Sequence, residues 1–359
     1  MSPARRPPEP SLAGPLPADW APRVVQWQTR HGRNDLPWQG TRDPYRVWLS
    51  EIMLQQTQVA TVLDYYRRFL QRFPDVQTLA AAPLDDVLAL WSGLGYYSRA
   101  RNLHACAVQV CGAHGGEFPR GAAQLQALPG IGRSTAAAIA SICHGERVAI
   151  LDGNVRRVLT RALGFGADLA SAANERALWT LATELLPQRD LARTMPRYTQ
   201  GVMDLGATVC LARKPLCAAC PLSAVCVARR DGEPERYPVK TRKLKRTAQS
   251  LWLLWAQTRD GAVWLRQRPT PGVWAGLYCL ELFDSHAALL QAVPARYRGS
   301  LQDLPAFTHV LTHKDLHLHP VRVQLPASAR LSSEGGWQAA GAWPQLGLPA
   351  PVRKLLAQG

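Results

Sequence analysis

Apolar residues recur at three- and four-residue spacing from Trp20 to about residue 210, in short runs separated by Gly or Pro. That period belongs to helices with one buried face. It predicts helices over Trp20–Gly32, from Asp43-Pro44 through Leu63, and over Asp64–Phe73, Pro83–Trp91, Arg99–Ala113, Ala122–Leu128 and Ser134–Cys143. Asp43 is placed to cap the second of these, with Pro44 at its first helical position. Leu36–Gln39 reads as a loop, and Val148–Ile150 is the one strand-like interruption. After Cys226 the pattern changes: Arg229–Thr247 is charged and irregular, and five of the seven residues in 240–246 are basic. From Ser250 the alternation has period two, in SLWLLWAQT, GAVWLRQR, GLYCLELF and HLHPVRVQL, with helices at His286–Val293 and Pro351–Leu356. The expected division is a disordered Pro-rich tail (1–18), an all-α domain (19–227), a basic linker (228–249) and an α+β domain (250–359).

Composition narrows the choice of partner. The 359 residues carry 42 basic and 26 acidic side chains, a net charge of +16, which points to a polyanion, with nucleic acid ahead of an anionic membrane. Only six of the basic residues are lysines, and none precedes Lys214. No apolar run reaches the roughly 20 residues of a membrane helix, and the N-terminus lacks a secretory pattern. Eight cysteines in such a chain are expected as reduced thiols or metal ligands in the cytoplasm.

The stretch Leu128–Leu159 carries the first chemistry. Gly130-Ile131-Gly132 forms a tight hairpin, and Ser134 stands at a natural N-cap position before an alanine-rich helix. Outward-pointing amides there, with a helix dipole behind them, make a phosphate grip, although an ordinary helix–loop–helix turn has the same pattern. Twenty residues beyond Gly132 comes Asp152, ahead of another helix whose dipole favours its ionised form. Glu51 lies among Val47, Trp48 and Leu54 on a largely apolar helix face, where desolvation raises a carboxyl pKa. Each acid alone also fits a plain surface or capping role. Together they fit cleavage of a base from a sugar, which needs an acid for the leaving purine and an anion for the oxocarbenium-like sugar.

Cys210, Cys217, Cys220 and Cys226 follow a C-x6-C-x2-C-x5-C spacing. Four thiolates can surround one small inorganic core; zinc is the chemical alternative, but only one C-x2-C knuckle exists. Cys106, Cys111, Cys143 and Cys279 read as buried free thiols.

LPWQ (36–39), DPYRVWLSEIMLQQTQV (43–59), LWSGLGYYSRARNLH (90–104), LPGIGRSTAAAI (128–139), LDGNVRRVL (151–159), QGVMDLGATVC (200–210), the cysteine loop and RPTPGVWAGLYCLE (268–281) together resemble the MutY-type adenine DNA glycosylases. The resemblance spans about residues 20 to 359. It implies a helix-hairpin-helix glycosylase domain (motif about 121–143) with one [4Fe-4S] cluster on the cysteines of 210–226, followed by a Nudix-like domain. It also implies an enzyme, acting as a monomer on double-stranded DNA, that removes adenine mispaired with 8-oxoguanine or guanine and so prevents G:C to T:A transversions.

By that resemblance Glu51 protonates the flipped adenine, Asp152 stabilises the sugar cation and Asn154 helps orient Asp152. Trp38, Leu54 and Gln200 line the adenine pocket, although core packing also accounts for Trp38 and Leu54, as it does for Tyr96. Gln56 and Tyr96 enter the DNA stack when the base is flipped out, Gly130, Ile131 and Gly132 hold the backbone, and Arg213 and Lys214 face phosphates. The related endonuclease III type uses a lysine just after the hairpin as a Schiff-base nucleophile; here that position is Ser134. Water is therefore the expected nucleophile, with little or no lyase activity.

The second domain has no REXXEE cluster of Nudix hydrolases, so no hydrolysis is expected of it. In the family it reads 8-oxoguanine through a loop written F-S-H. Here the matching stretch is Leu311-Thr312-His313, with Phe307-Thr308-His309 as a competing alignment. Thr312 keeps a hydroxyl, and Leu311 keeps bulk without stacking. A lyase for oxidised pyrimidines and a non-catalytic iron–sulfur DNA-binding protein are the alternative readings.

Overall fold

A computed structural model describes residues 16–241, 245–332 and 334–358. The tail read at 1–18 lies almost wholly outside the described residues, as do positions 242–244 of the basic linker. The chain folds as two compact units, one of residues 1–56 and 109–243, the other of 57–108 and 244–359. The units thus cut across the division read from the sequence, because residues 57–108 of the helical region share a unit with the sheet.

In the first unit the long Leu191–Thr208 helix is packed by Trp20–His31, Arg133–His144 and Gly153–Leu163. Its core gathers Trp20, Ala137, Val155, Leu159, Tyr198 and Leu205, each 4% exposed or less. The Trp20 indole donates to the Tyr198 hydroxyl at 3.0 Å, so the buried polar tips of both rings are satisfied. Close approach has a sequence cause at Gly206: a Cβ there would come within 2.6 Å of the Asn154 side chain.

Asp43 caps Pro44–Leu54 as expected, its carboxylate accepting from the Tyr45 N–H at 2.9 Å. The helix does not run on to Leu63. It stops at Leu54, Gln56 adopts a left-handed φ of 55°, and a new helix runs Val59–Arg72. Helical periodicity continues through QQTQ, so the break leaves no mark in the pattern.

Two further expectations change. The hairpin helix begins at Arg133 with Gly132, not Ser134, at its N-cap. Val148–Ile150 forms no strand among the described residues.

The second unit sets helices Val59–Arg72, Val76–Ala81 and Leu84–Trp91, and the start of Ser98–His114, beside an eight-stranded sheet. At the sheet's centre, strands Thr247–Gln257 and Lys314–Gln324 run parallel, Thr247 opposite Lys314 and Gln257 opposite Gln324. Leu254, Trp264, Val321 and Val323 fill one face, closed by Leu289 of the His286–Ala292 helix and Val293 at its C-cap. Phe307–Val310 and Gly335–Gln338, which no alternation revealed, complete the sheet at strands 314–324 and 263–267. Within this unit Ser92 and Tyr97 donate to the Leu348 carbonyl at 2.8 and 3.2 Å, and Arg101 donates to the Ala275 carbonyl at 2.6 Å.

Candidate active site

In the first unit Trp38, Gln39, Arg42, Glu51 and Gln200 line a cavity of about 430 Å³. Trp38 is 6% exposed and forms an apolar wall. The Gln39 carboxamide is buried with neither its oxygen nor its nitrogen partnered among the described residues, so it is a spare donor and acceptor facing the cavity. Leu54, placed in the adenine pocket by resemblance, ends its helix and does not line this space.

Glu51 stands in the last part of the Pro44–Leu54 helix. Loss of water raises its carboxyl from 4.5 to about 7, and the negative charge of Asp152 adds to the rise. The two acids therefore lie close enough to influence each other electrostatically. Asp152 caps Gly153–Leu163, accepting from the Val155 N–H at 2.7 Å.

The dipole does not leave Asp152 in its usual range. Burial raises its pKa and outweighs the opposing pull of the Val155 and Asn154 amides and of the Arg157 and Arg156 charges. The expected separation of the two acids thus has a different origin. Both are desolvated, and capping bonds and guanidinium groups restrain only Asp152.

Gly130 takes a left-handed φ of 73°, which a residue with a Cβ rarely adopts, and Ile131 is buried at 4% beneath the hairpin. Gly132, the N-cap of the next helix, is exposed. The Ser134 hydroxyl does not cap that helix; it accepts from the Leu151 N–H at 2.9 Å. It thereby ties the hairpin helix to the residue before Asp152.

Asn154 does not reach Asp152 through its side chain. Its backbone amide faces the carboxylate, while its side-chain oxygen accepts from Arg157 at 2.8 Å. Arg157 also donates to the carbonyls of Gly206 and Cys210, both at 2.7 Å. One guanidinium thus spans from the Asp152 cap to the first cysteine of the loop. Sequence reasoning missed Gln39 and Arg157. Each had a signal, Gln39 next to Trp38 and Arg157 one turn beyond Asn154 on the same helix face.

The four loop cysteines are partly buried, and Cys210, Cys220 and Cys226 pack against the core edge. Each of Cys210, Cys217 and Cys226 adds to the rise in the Cys220 pKa that burial begins, so the four sulfurs face a common region. Among the described residues no three such side chains are set to hold a single metal ion. Arg213 and Lys214 are exposed, and the Lys214 N–H donates to Glu235 at 2.8 Å. Cys106, Cys143 and Cys279 are buried, with thiols pushed up to about 12 by loss of water. Cys111, expected to be buried with them, is partly exposed.

In the second unit Tyr96 is 42% exposed with a left-handed φ of 51°, and its hydroxyl meets that of Thr312 at 2.7 Å. Leu311, Thr312 and His313 form the turn joining strands Phe307–Val310 and Lys314–Gln324, closed by the Leu311 N–H on the Lys314 carbonyl at 2.8 Å. Thr312 and His313 are exposed. The competing Phe307-Thr308-His309 lies within the paired strand itself.

Residues 49–183 match the HhH-GPD superfamily base excision DNA repair protein, and residues 252–358 match the NUDIX domain. The adenine DNA glycosylase of Buchnera aphidicola subsp. Acyrthosiphon pisum is 35% identical over 338 residues, 93% of this chain and 95% of its own length. The human adenine DNA glycosylase is 46% identical over 222 residues, 59% of this chain and 40% of that protein. A thermostable thymine-DNA glycosylase of known structure superposes with a TM-score of 0.51 and 28% identity, over 59% of this chain and 95% of its own.

Proposed function

This chain belongs to the adenine DNA glycosylases of base excision repair, and we propose that it releases adenine opposite 8-oxoguanine or guanine with water as the nucleophile. The observation that carries the reading is Glu51, a carboxyl held near pKa 7 at a cavity wall by loss of water and by the charge of Asp152. A neutral Glu51 gives its proton to a ring nitrogen of the flipped adenine, so the base leaves with the electrons of the glycosidic bond. The Asp152 carboxylate stabilises the sugar cation left behind. Water adds to that cation and loses a proton, and Glu51 or solvent closes the proton balance. Trp38 shields one side of the base and Gln39 offers it a hydrogen bond.

Two features support base removal without strand cutting. The hydroxyl of Ser134 stands where a lysine would act, and it is already engaged with the Leu151 N–H. No lysine precedes Lys214 in the chain, and the cationic groups that act on the Asp152 carboxyl are the guanidiniums of Arg157 and Arg156.

Cys210, Cys217, Cys220 and Cys226 are the residues that would hold a [4Fe-4S] cluster. Four sulfurs with mutual electrostatic influence, at the edge of a core, are the donor set such a cluster takes. It would supply structural order to the loop that presents Arg213 and Lys214. Thr312, exposed at a hairpin turn, is the hydroxyl we assign to reading 8-oxoguanine. The expected monomer and an association with the nucleoid through DNA belong to the same reading.

A duplex with a single A·8-oxoguanine pair tests it. Base release followed by strand cleavage only after alkali is the expected result. Direct cleavage with a borohydride-trapped adduct would identify a lyase, and binding without base release a non-catalytic protein.

A further inference from the structure

Asp204 is fully buried, 0% exposed, on the helix that carries Gln200. Its carboxylate accepts from Arg33 through the backbone N–H at 3.1 Å, Nε at 2.7 Å and Nη2 at 2.7 Å. It also accepts from the Gln200 amide nitrogen at 2.9 Å. The oxygen that takes the Gln200 bond, Oδ1, is the one that Arg33 Nε and Nη2 hold, so both oxygens are fixed in place.

A carboxylate only accepts hydrogen bonds, whereas a glutamine amide has an accepting end and a donating end. Because Asp204 claims the donating end, the amide of Gln200 has one orientation. Its oxygen is then the end left for the cavity that Gln200 lines with Glu51, and no described residue donates to it.

We propose that Asp204 is a positioning residue that sets base specificity: by locking the Gln200 amide it fixes an acceptor on the cavity wall, which takes a 6-amino purine and repels a 6-oxo purine. The proposal rests on reading that cavity as the purine pocket. An amino group at the six position donates to the Gln200 oxygen. A 6-oxo group, as in hypoxanthine, would put acceptor against acceptor, and Gln200 cannot turn to relieve it without facing its oxygen to the carboxylate. Arg33 holds the same carboxylate in place and neutralises it, so the lock costs no unpaired buried charge.

The test is single-turnover base release from duplexes carrying adenine or hypoxanthine opposite 8-oxoguanine. Asp204→Asn can offer its own NH2 to Gln200 and so allow the amide to flip. The adenine-to-hypoxanthine rate ratio is expected to fall at least about tenfold, the scale of one misdirected hydrogen bond. Asp204→Glu keeps an acceptor and is expected to preserve most of the ratio, whatever its absolute rate. Gln200→Met removes the acceptor, and in that background Asp204→Asn should not change the ratio further. A purely structural Asp204 would slow both bases alike and leave the ratio of Asp204→Asn unchanged, which overturns the proposal. Should Asp204→Asn not fold, loss of the ratio in a folded Asp204→Glu overturns it, and retention supports it. Failure of the pocket reading looks different: Gln200→Met would then leave adenine release itself at the wild-type rate.

Discussion

The hydroxyl groups of Tyr96 and Thr312 lie 2.7 Å apart, joined across 216 residues of sequence. Both ends are braced. The Arg99 guanidinium lies 5.1 Å from the Tyr96 ring centroid and donates to the Gly95 carbonyl at 3.1 Å, while Arg246 donates to the Thr312 carbonyl at 2.9 Å. The residue assigned to enter the DNA stack and the hydroxyl assigned to 8-oxoguanine therefore hold each other before DNA arrives. Thr312→Val keeps the shape and removes the hydroxyl. We expect it to lower the preference for A·8-oxoguanine over A·G by roughly 2–10-fold, the worth of one exposed hydrogen bond. Tyr96→Phe should break the same bond, so a double-mutant cycle on that preference should show coupling of the order of 0.5–1 kcal/mol. Strict additivity would mean the two hydroxyls act separately.

The Glu51 carboxyl titrates near 7 instead of 4.5, chiefly through loss of water and then through the charge of Asp152. As an acid it must be protonated to act, so the single-turnover rate should fall as pH rises through about 7. Asp152 must be ionised, and burial raises its pKa too, so the acid limb should sit above the usual aspartate range. Glu51→Gln should abolish adenine release while leaving DNA binding largely intact.

The same shift acts on stability. A folded-state pKa above the unfolded one means that folding favours the protonated acid, so this contribution is present below 4.5 and lost as pH rises through about 7. Glu51→Gln should thus gain stability relative to wild type between pH 5 and pH 8, on the order of 2–3 kcal/mol. Equal melting curves across that range would contradict a desolvated Glu51.

The hydroxyl of Ser134 is the partner of the Leu151 N–H at 2.9 Å, and Leu151 is 2% exposed. Ser134→Ala leaves a buried amide unpaired, at a cost of about 1–3 kcal/mol, next to the residue that must meet the sugar. We expect the rate to fall roughly tenfold, with DNA affinity little changed because the hairpin backbone is intact. Ser134→Thr keeps the acceptor and should recover most of the rate. A wild-type rate in Ser134→Ala would show that the tether does not position Asp152.

What the sequence made legible was what local chemistry determines. Asp43-Pro44 marked a helix start that the structure keeps, and the alternation in HLHPVRVQL marked the central strand Lys314–Gln324. The acids Glu51 and Asp152 could be singled out because their neighbours set their environment. What stayed hidden depends on distant partners. Gln56 and Tyr96 take left-handed backbone without being glycine, a conformation that costs energy and that surrounding structure must impose; both are residues assigned to the DNA stack. Strand Phe307–Val310 owes its existence to pairing with residues 315–318, and the role of Ser134 depends on an amide seventeen residues away. Asn154, expected to help orient Asp152, faces that carboxylate with its backbone amide, while its side chain is held by Arg157, an arrangement that depends on the close approach at Gly206.

Arg161 provides a test of the cysteine loop that does not depend on catalysis. It is 2% exposed and turns all three guanidinium nitrogens to the loop and its flank. Nη1 donates to the Leu211 carbonyl at 2.6 Å and to the Cys210 sulfur at 3.4 Å, Nη2 to the Ala212 carbonyl at 2.9 Å, and Nε to the Tyr237 carbonyl at 3.2 Å. Methionine at this position has similar length and no donor, so three carbonyls would lose their partner at once. The loss should be at least about 2 kcal/mol, since each buried group left unpaired costs about 1–3 kcal/mol. Lysine can satisfy one or two of them but not the planar fork. We therefore expect iron and sulfide per chain, measured on the purified protein, to fall in the order wild type, Arg161→Lys, Arg161→Met, with thermal stability falling in the same order. Full iron content in Arg161→Met would show that the loop holds its shape without this residue, and no iron in the wild type would refute the cluster itself.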